Sequence, residues 1–282
     1  MESLWNDWLD RHNVIVFDLD GTLINDEGNP FPEVIEGLRY LKSRGTQLFL
    51  ATGRSVQSVK ELSLPSEFID LFVESIICND GNVIYNRITE SVKVLKSLAI
   101  STINELEEYI GTEADFILQG KEGTFASNNI AAIKYATLYN VKRSGIYVFK
   151  KQNLSLENIF LIIIFPRDLK RYQISINKIV YSNQVEFLNN KFNRVKILPK
   201  DTCKAEGLKM LFKKYKYSLE GVIAVGNGEN DITLLMKCSK GVCVMDSPDS
   251  LKAVSNIHLQ QDIGAFLKST RINNLEEKGD YL

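Results

Sequence analysis

Val14-Ile-Val-Phe-Asp-Leu-Asp-Gly-Thr-Leu23 is the stretch on which the fold turns. Four apolar residues in unbroken succession predict a strand buried on both faces, because a strand wet on one side would alternate polar and apolar residues. The run stops abruptly at Asp18, and Gly21 permits a sharp exit. Working outward, Asp26-Glu-Gly-Asn-Pro30 is rich in turn formers. Glu33–Ser43 then carries Val34, Ile35, Leu38 and Leu41 at helical spacing, with Gly45 as the stop. A second apolar run, Leu48-Phe-Leu-Ala51, ends in Thr52-Gly-Arg54. Another helical stretch leads to Ile76-Ile-Cys78, closed by Asn79-Asp-Gly81. Strands alternating with helices at short spacing predict an α/β fold built on a doubly wound, mostly parallel sheet.

The rhythm changes near Tyr85. The following hundred or so residues are richer in Asn, Lys, Ile and Tyr, with one strong strand (Ile159–Phe165) and two helical stretches (Thr102–Ile110 and Leu169–Val180). The original pattern returns after Ile197-Leu-Pro199. Lys204–Tyr215 predicts a helix, with Asp201 or Thr202 as its cap. Val222-Ile-Ala-Val225 predicts a buried strand ending in Gly226-Asn-Gly-Glu-Asn-Asp231, and Gly241–Met245 and Ile257–Leu259 predict two short ones. The expected organisation is a discontinuous core, 12–84 plus 196–270, an inserted α+β domain at 85–195, and a polar tail at 271–282.

Composition narrows the function. The chain has 282 residues, 44% of them hydrophobic, and 34 Lys+Arg against 35 Asp+Glu give a net charge of -1. Such a balance speaks against a nucleic-acid surface as the main business. No apolar run reaches the roughly 20 residues that span a bilayer, so no membrane partner is expected. The acidic amino terminus lacks the basic and apolar regions of a secretory signal. Four cysteines (Cys78, Cys203, Cys238, Cys243) show no paired spacing. The expectation is a reduced, cytoplasmic protein, monomer or homodimer.

In open α/β sheets, ligands sit beyond the carboxyl ends of the strands, near the reversal of strand order. Three polar clusters fall there: Asp18/Asp20, Thr52-Gly53-Arg54 and the 226–231 segment. Rival readings fail on residue type. A calcium loop opening at Asp18 needs Gly at its sixth position, where Leu23 stands, and Gly226-Asn-Gly228 lacks the Gly-Lys-Ser/Thr of a phosphate-cradling P-loop. His12 and His258 are lone histidines, too isolated for zinc.

Asp18-Leu-Asp-Gly-Thr-Leu23 resembles the first motif of the haloacid dehalogenase-like phosphohydrolases. Thr52-Gly-Arg54, Lys204 within Cys203-Lys-Ala-Glu-Gly207, and Gly226-Asn-Gly-Glu-Asn-Asp231 resemble its second, third and fourth motifs in the right order. Ile77-Cys-Asn-Asp-Gly81 and the position of the insertion are similar to the Cof-type subgroup, whose insertion is a cap domain. The core segments carry the resemblance; the cap matches by placement alone.

The resemblance implies a Mg²⁺-dependent phosphomonoester hydrolase acting on a small phosphorylated metabolite, a sugar phosphate being one example. Asp18 would be the nucleophile and Asp20 the general acid and base. Leu19 and Gly53 through their amides, and Thr52, Lys204 and Asn230 through their side chains, would bind phosphate. Asp18, Asp20, Asn227 and Asp231 would form the metal end. Asn227 departs from the family, which usually places a metal-binding Asp there. One negative charge is lost, and three readings stand: a working enzyme with weaker Mg²⁺, coordination taken over by Asp231, or a protein that binds a phosphorylated ligand without turnover. A phosphosugar mutase or transferase on the same core is a further alternative.

Overall fold

The computed structural model describes residues 2–104, 114–148, 158–166, 183–188 and 193–268. These residues pack as two compact units: 1–53, 62–91 and 203–282 in the first, 54–61 and 92–202 in the second.

The strand stretches of the first unit become β1 (Val14–Phe17), β2 (Gln47–Ala51), β3 (Ser75–Cys78) and β4 (Val83–Asn86). The second unit supplies β5 (Val92–Val94), β6 (Ala114–Gly120), β7 (Gly123–Ala126), β8 (Ile146–Val148), β9 (Ile159–Pro166), β10 (Asn183–Leu188) and β11 (Arg194–Pro199). The chain then returns to the first unit for β12 (Val222–Gly226), β13 (Lys240–Cys243) and β14 (Ile257–His258).

In the first unit the order is β14-β13-β12-β1-β2-β3-β4. Every pairing from β14 to β3 is parallel, and only β3–β4 is antiparallel. The continuous apolar runs follow from this: all four residues of β1 and all four of β3 are buried. Helix Val34–Ser43 covers the sheet with Val34, Leu38 and Leu41, as their spacing requires. Register then fixes the site. Phe17 stands opposite Val225 on one side and Leu50 on the other, and Ala51 stands opposite Ile77. Strands in such step leave the sheet at one level, so Asp18, Thr52, Asn79 and the 226–231 turn emerge together at its carboxyl edge.

Helix Glu2–Arg11 answers what the first dozen residues do: Trp5, Trp8 and Leu9, at positions i, i+3 and i+4, are buried. The Trp5 ring meets Phe266 edge-on at 5.3 Å.

The second unit is built on a six-stranded sheet, order β10-β11-β9-β6-β7-β8, antiparallel except at β7–β8. Leu98, Ile103, Leu118, Ile162, Ile164, Val195 and Ile197 form its core. The Ile159–Phe165 expectation corresponds to β9. Of the expected helix at 102–110, the described part is helical over 100–104 and the rest lies outside the described residues, as do 169–180 and the tail from 271. Two expectations change. The helix Val56–Glu61, read from sequence as core, packs with the second unit. Helix Lys204–Tyr215 is preceded by Cys203 rather than capped by Asp201 or Thr202; the Thr202 hydroxyl donates to the Pro199 carbonyl at 2.6 Å, and Asp201 is left-handed. Among the described residues no helix is long and apolar enough to cross a membrane.

Candidate active site

At the carboxyl edge of the first sheet, three buried charges meet. The Lys204 ammonium donates to Asp18 Oδ1 at 2.5 Å and to Asp231 Oδ1 at 2.7 Å. Lys204 and Asp231 are fully buried and Asp18 is 4% exposed. Each arrives on a different element: Asp18 ends β1, Lys204 opens its helix, and Asp231 closes the turn after β12. A lysine at the first helical position would normally be a poor choice near the positive end of the helix dipole, and the two carboxylates answer that cost. Residues 186 positions apart in sequence are thus joined.

The remaining oxygens are also engaged. Thr22 Oγ1 donates to Asp18 Oδ2 at 3.3 Å. Asp231 Oδ2 accepts the backbone amides of Asn227 and Gly228, both at 3.0 Å. Asp231, expected among the metal ligands, is therefore turned toward Lys204 and two amides, and holds the lysine and the 227–228 backbone in one place. Leu19 is buried, and its carbonyl accepts the amides of Thr22, Leu23 and Ile24, which folds the chain back after the strand. Asp20, half-buried, pairs with Ile24 in an isolated bridge of that turn. Asn227 lies against the same turn: a Cβ on Gly21 would stand 2.1 Å from its Nδ2.

Thr52 is fully buried, its amide bonded to the Ile77 carbonyl at 2.8 Å. Beyond it Gly53 faces two side chains. A Cβ there would stand 2.8 Å from Asp80 Oδ1 and 3.2 Å from Asn230 Nδ2, and Asn230 donates to Asp80 at 2.9 Å. In the sequence Asp80 stands only within a subgroup signature, and residue type and spacing assign it no role in the site. The available signal was its position, directly after a buried strand in a turn of residues that tolerate left-handed backbone.

Electrostatics follow from burial. Removal from water raises the Asp18 carboxyl to about 7, and neighbouring Asp231 and Asp20 push the same way against the pull of Lys204. Burial alone would lower the Lys204 ammonium, but the two carboxylates override it and hold the lysine protonated. Two acids share one cation, so this buried group has one negative charge too many.

That imbalance bears on a metal ion. Mg²⁺ takes hard oxygen ligands, usually one or two carboxylates with several waters. The Asp18 carboxylate, the Asp20 backbone carbonyl and the Asn227 carboxamide, gathered around the Asp18–Gly21 turn, are donors of that kind, and a divalent cation would offset the surplus charge. Among the described residues no group of three or more His, Cys, Asp or Glu forms a ready-made cage. The residues present fit Mg²⁺ held partly by water and not an all-protein metal site.

The chain matches the model of the haloacid dehalogenase-like hydrolase family over residues 15–262. The uncharacterized hydrolase C215.10 of Schizosaccharomyces pombe is 26% identical over 260 residues, covering 86% of this chain and 84% of that protein. A Haemophilus influenzae relative with a provisional phosphatase name is 24% identical, covering 83% and 85%. The HAD subclass IIB sugar phosphatase BT4131 shares the fold with a TM-score of 0.73 at 18% identity, over 92% of this chain and 99% of that one. The chain belongs to the haloacid dehalogenase-like hydrolase family.

Proposed function

We propose that the chain hydrolyses phosphate monoesters of a small metabolite in two steps through an aspartyl-phosphate on Asp18, with Mg²⁺ as cofactor. The observation that carries this is the buried ammonium of Lys204 on the Asp18 carboxylate, with Asp231 behind it. An anionic nucleophile approaching an anionic phosphoryl group is repelled by about 4 kcal/mol at 4 Å and an effective dielectric of 20, so fixed positive charge beside the nucleophile is what such a reaction requires. In the first step Asp18 forms a bond to phosphorus, the ester P–O bond breaks, and Asp20 gives a proton to the departing alkoxide. In the second, Asp20 takes a proton from water, the water oxygen bonds to phosphorus, and the Asp18–phosphorus bond breaks to release inorganic phosphate.

The chain's other groups bind and orient. Lys204, Thr52, the amides of Leu19 and Gly53, and the Asn230 carboxamide would donate to phosphoryl oxygens, replacing the water that the buried site excludes. Mg²⁺, when bound by the Asp18 carboxylate, the Asp20 backbone carbonyl and the Asn227 carboxamide, would supply further positive charge at the phosphoryl group. Asp231 would anchor Lys204 and the 227–228 backbone rather than coordinate, so the charge lost at Asn227 is not restored by it.

The test is phosphate release from a chromogenic phosphate ester with Mg²⁺. Wild type should turn over, and Asp18→Asn should lose at least about a thousand-fold, since no nucleophile remains. Undiminished release by Asp18→Asn would overturn the assignment.

A further inference from the structure

We infer that Asp80 is a positioning residue that holds the Asn230 carboxamide with its nitrogen toward the Thr52–Gly53 loop, an inference that rests on the phosphatase reading above. Asn230 Nδ2 donates to Asp80 Oδ1 at 2.9 Å and lies against Gly53, where a Cβ would come within 3.2 Å. Its Oδ1 lies by Gly228, 2.9 Å from where a Cβ there would stand. The amide therefore presents a donor to the loop that follows β2 and turns its acceptor away. An amide is nearly symmetric in shape, and nothing in its own chemistry chooses between the two orientations. A carboxylate accepts and cannot donate, so Asp80 makes the choice. The reversed amide would set oxygen against oxygen.

The backbone that carries Asp80 is strained in a manner consistent with this duty. Asn79 and Asp80 have φ of 51° and 53°, and Gly81 follows at 103°. Two successive non-glycine residues in the left-handed region are uncommon and persist where the surroundings over-determine them. Here they do. The Asp80 amide donates to the Thr52 carbonyl at 3.3 Å, and Gly81 packs so closely on the start of the Lys204 helix that a Cβ would stand 2.0 Å from the Cys203 carbonyl oxygen. One turn thus ties β2, the lysine helix and the 226–231 turn together, and Asp80 is its functional side chain.

The experiment is a double-mutant cycle read on inorganic phosphate binding by calorimetry with Mg²⁺ present. Asp80→Asn keeps a residue that tolerates left-handed backbone and frees the amide to turn over. Phosphate affinity should fall about three- to ten-fold, the range of one oriented hydrogen bond. Asn230→Ala should weaken binding by at least as much. Adding Asp80→Asn to Asn230→Ala should change nothing further, because Asp80 acts through Asn230. Asp80→Gly, which suits the turn equally, should repeat the Asp80→Asn result if that variant melts early. Unchanged affinity in Asp80→Asn and Asp80→Gly, or losses that add in the double variant, would overturn the inference while leaving the phosphatase reading in place. A wild-type protein that neither binds phosphate nor hydrolyses an ester would overturn the function reading and this inference with it.

Discussion

Burial in the native fold disfavours the ionised form of Asp18. Its carboxyl is raised from 3.8 to about 7, chiefly by burial, so the folded protein binds its proton more tightly than the unfolded chain does. A group shifted in that direction supports the native state fully below its unfolded value, and the support is lost as pH rises through the folded value. Without metal, stability should therefore fall as pH rises between about pH 4 and pH 7. Asp18→Asn, which cannot ionise, should flatten the decline and melt higher than wild type at pH 8 in chelator. Thermal melts of both proteins at pH 5 and pH 8 measure this, and parallel pH dependence would refute it. Added Mg²⁺ should restore wild type at pH 8 and do little for Asp18→Asn. At this scale the sequence was legible where chemistry is written in residue type: Asp18, Thr52, Lys204 and Asp231 were all singled out. Asp80 was not, because its role depends on a backbone conformation and a partner 150 residues away. The orientation of Asp231 toward Lys204 is likewise a property of packing that spacing does not carry.

Among the elements, parallel strands were the easiest to find. A strand covered on both faces has no reason to alternate, so β1, β2, β3 and β12 stand out as apolar runs. The antiparallel second sheet was mostly invisible apart from β9, whose residues from Ile159 to Phe165 are all buried. The helix carrying Lys204 was found from its periodicity, but its seating was not, since that rests on two glycines. A Cβ on Gly207 would stand 2.5 Å from the Gly81 carbonyl oxygen and 2.8 Å from the Gly81 Cα, both backbone atoms with little freedom to yield. Gly207→Ala should therefore push the first turn of the helix away from the 79–81 turn, carrying Lys204 with it. The expected cost is about 1–3 kcal/mol of stability, the usual range for overpacking. From that first turn Lys204 bridges Asp18 and Asp231, so ester hydrolysis should drop at least ten-fold at temperatures where the variant remains folded. Wild-type turnover in a destabilised Gly207→Ala protein would show that Lys204 is positioned by its carboxylates alone.

For the whole molecule, the division into two units does not follow the simple plan of an insertion between two core segments. Residues 54–61 lie early in the chain, immediately after the Thr52–Gly53 loop, yet they belong to the second unit. The bonds that place them are specific. Ser58 Oγ donates to the Tyr139 carbonyl at 3.2 Å, and the Tyr135 hydroxyl, also bonded by Gln119, reaches Ser55 Oγ at 3.4 Å. Sequence periodicity could not reveal this, because a six-residue helix looks the same whichever unit it joins. Native-state hydrogen exchange distinguishes the cases, since residues of one cooperative unit open together. The Val59 amide, bonded to the Ser55 carbonyl at 2.9 Å, should share the opening free energy of amides in helix Asn129–Tyr139 and not that of β2. Ser58→Ala combined with Tyr135→Phe removes two of the ties, each worth about 1 kcal/mol. Exchange at Val59 should then quicken together with that of the 129–139 helix, while β1 and β2 keep their protection. If Val59 instead stays in step with β2 in both proteins, the helix belongs to the first unit, and the boundary of the second lies beyond residue 61.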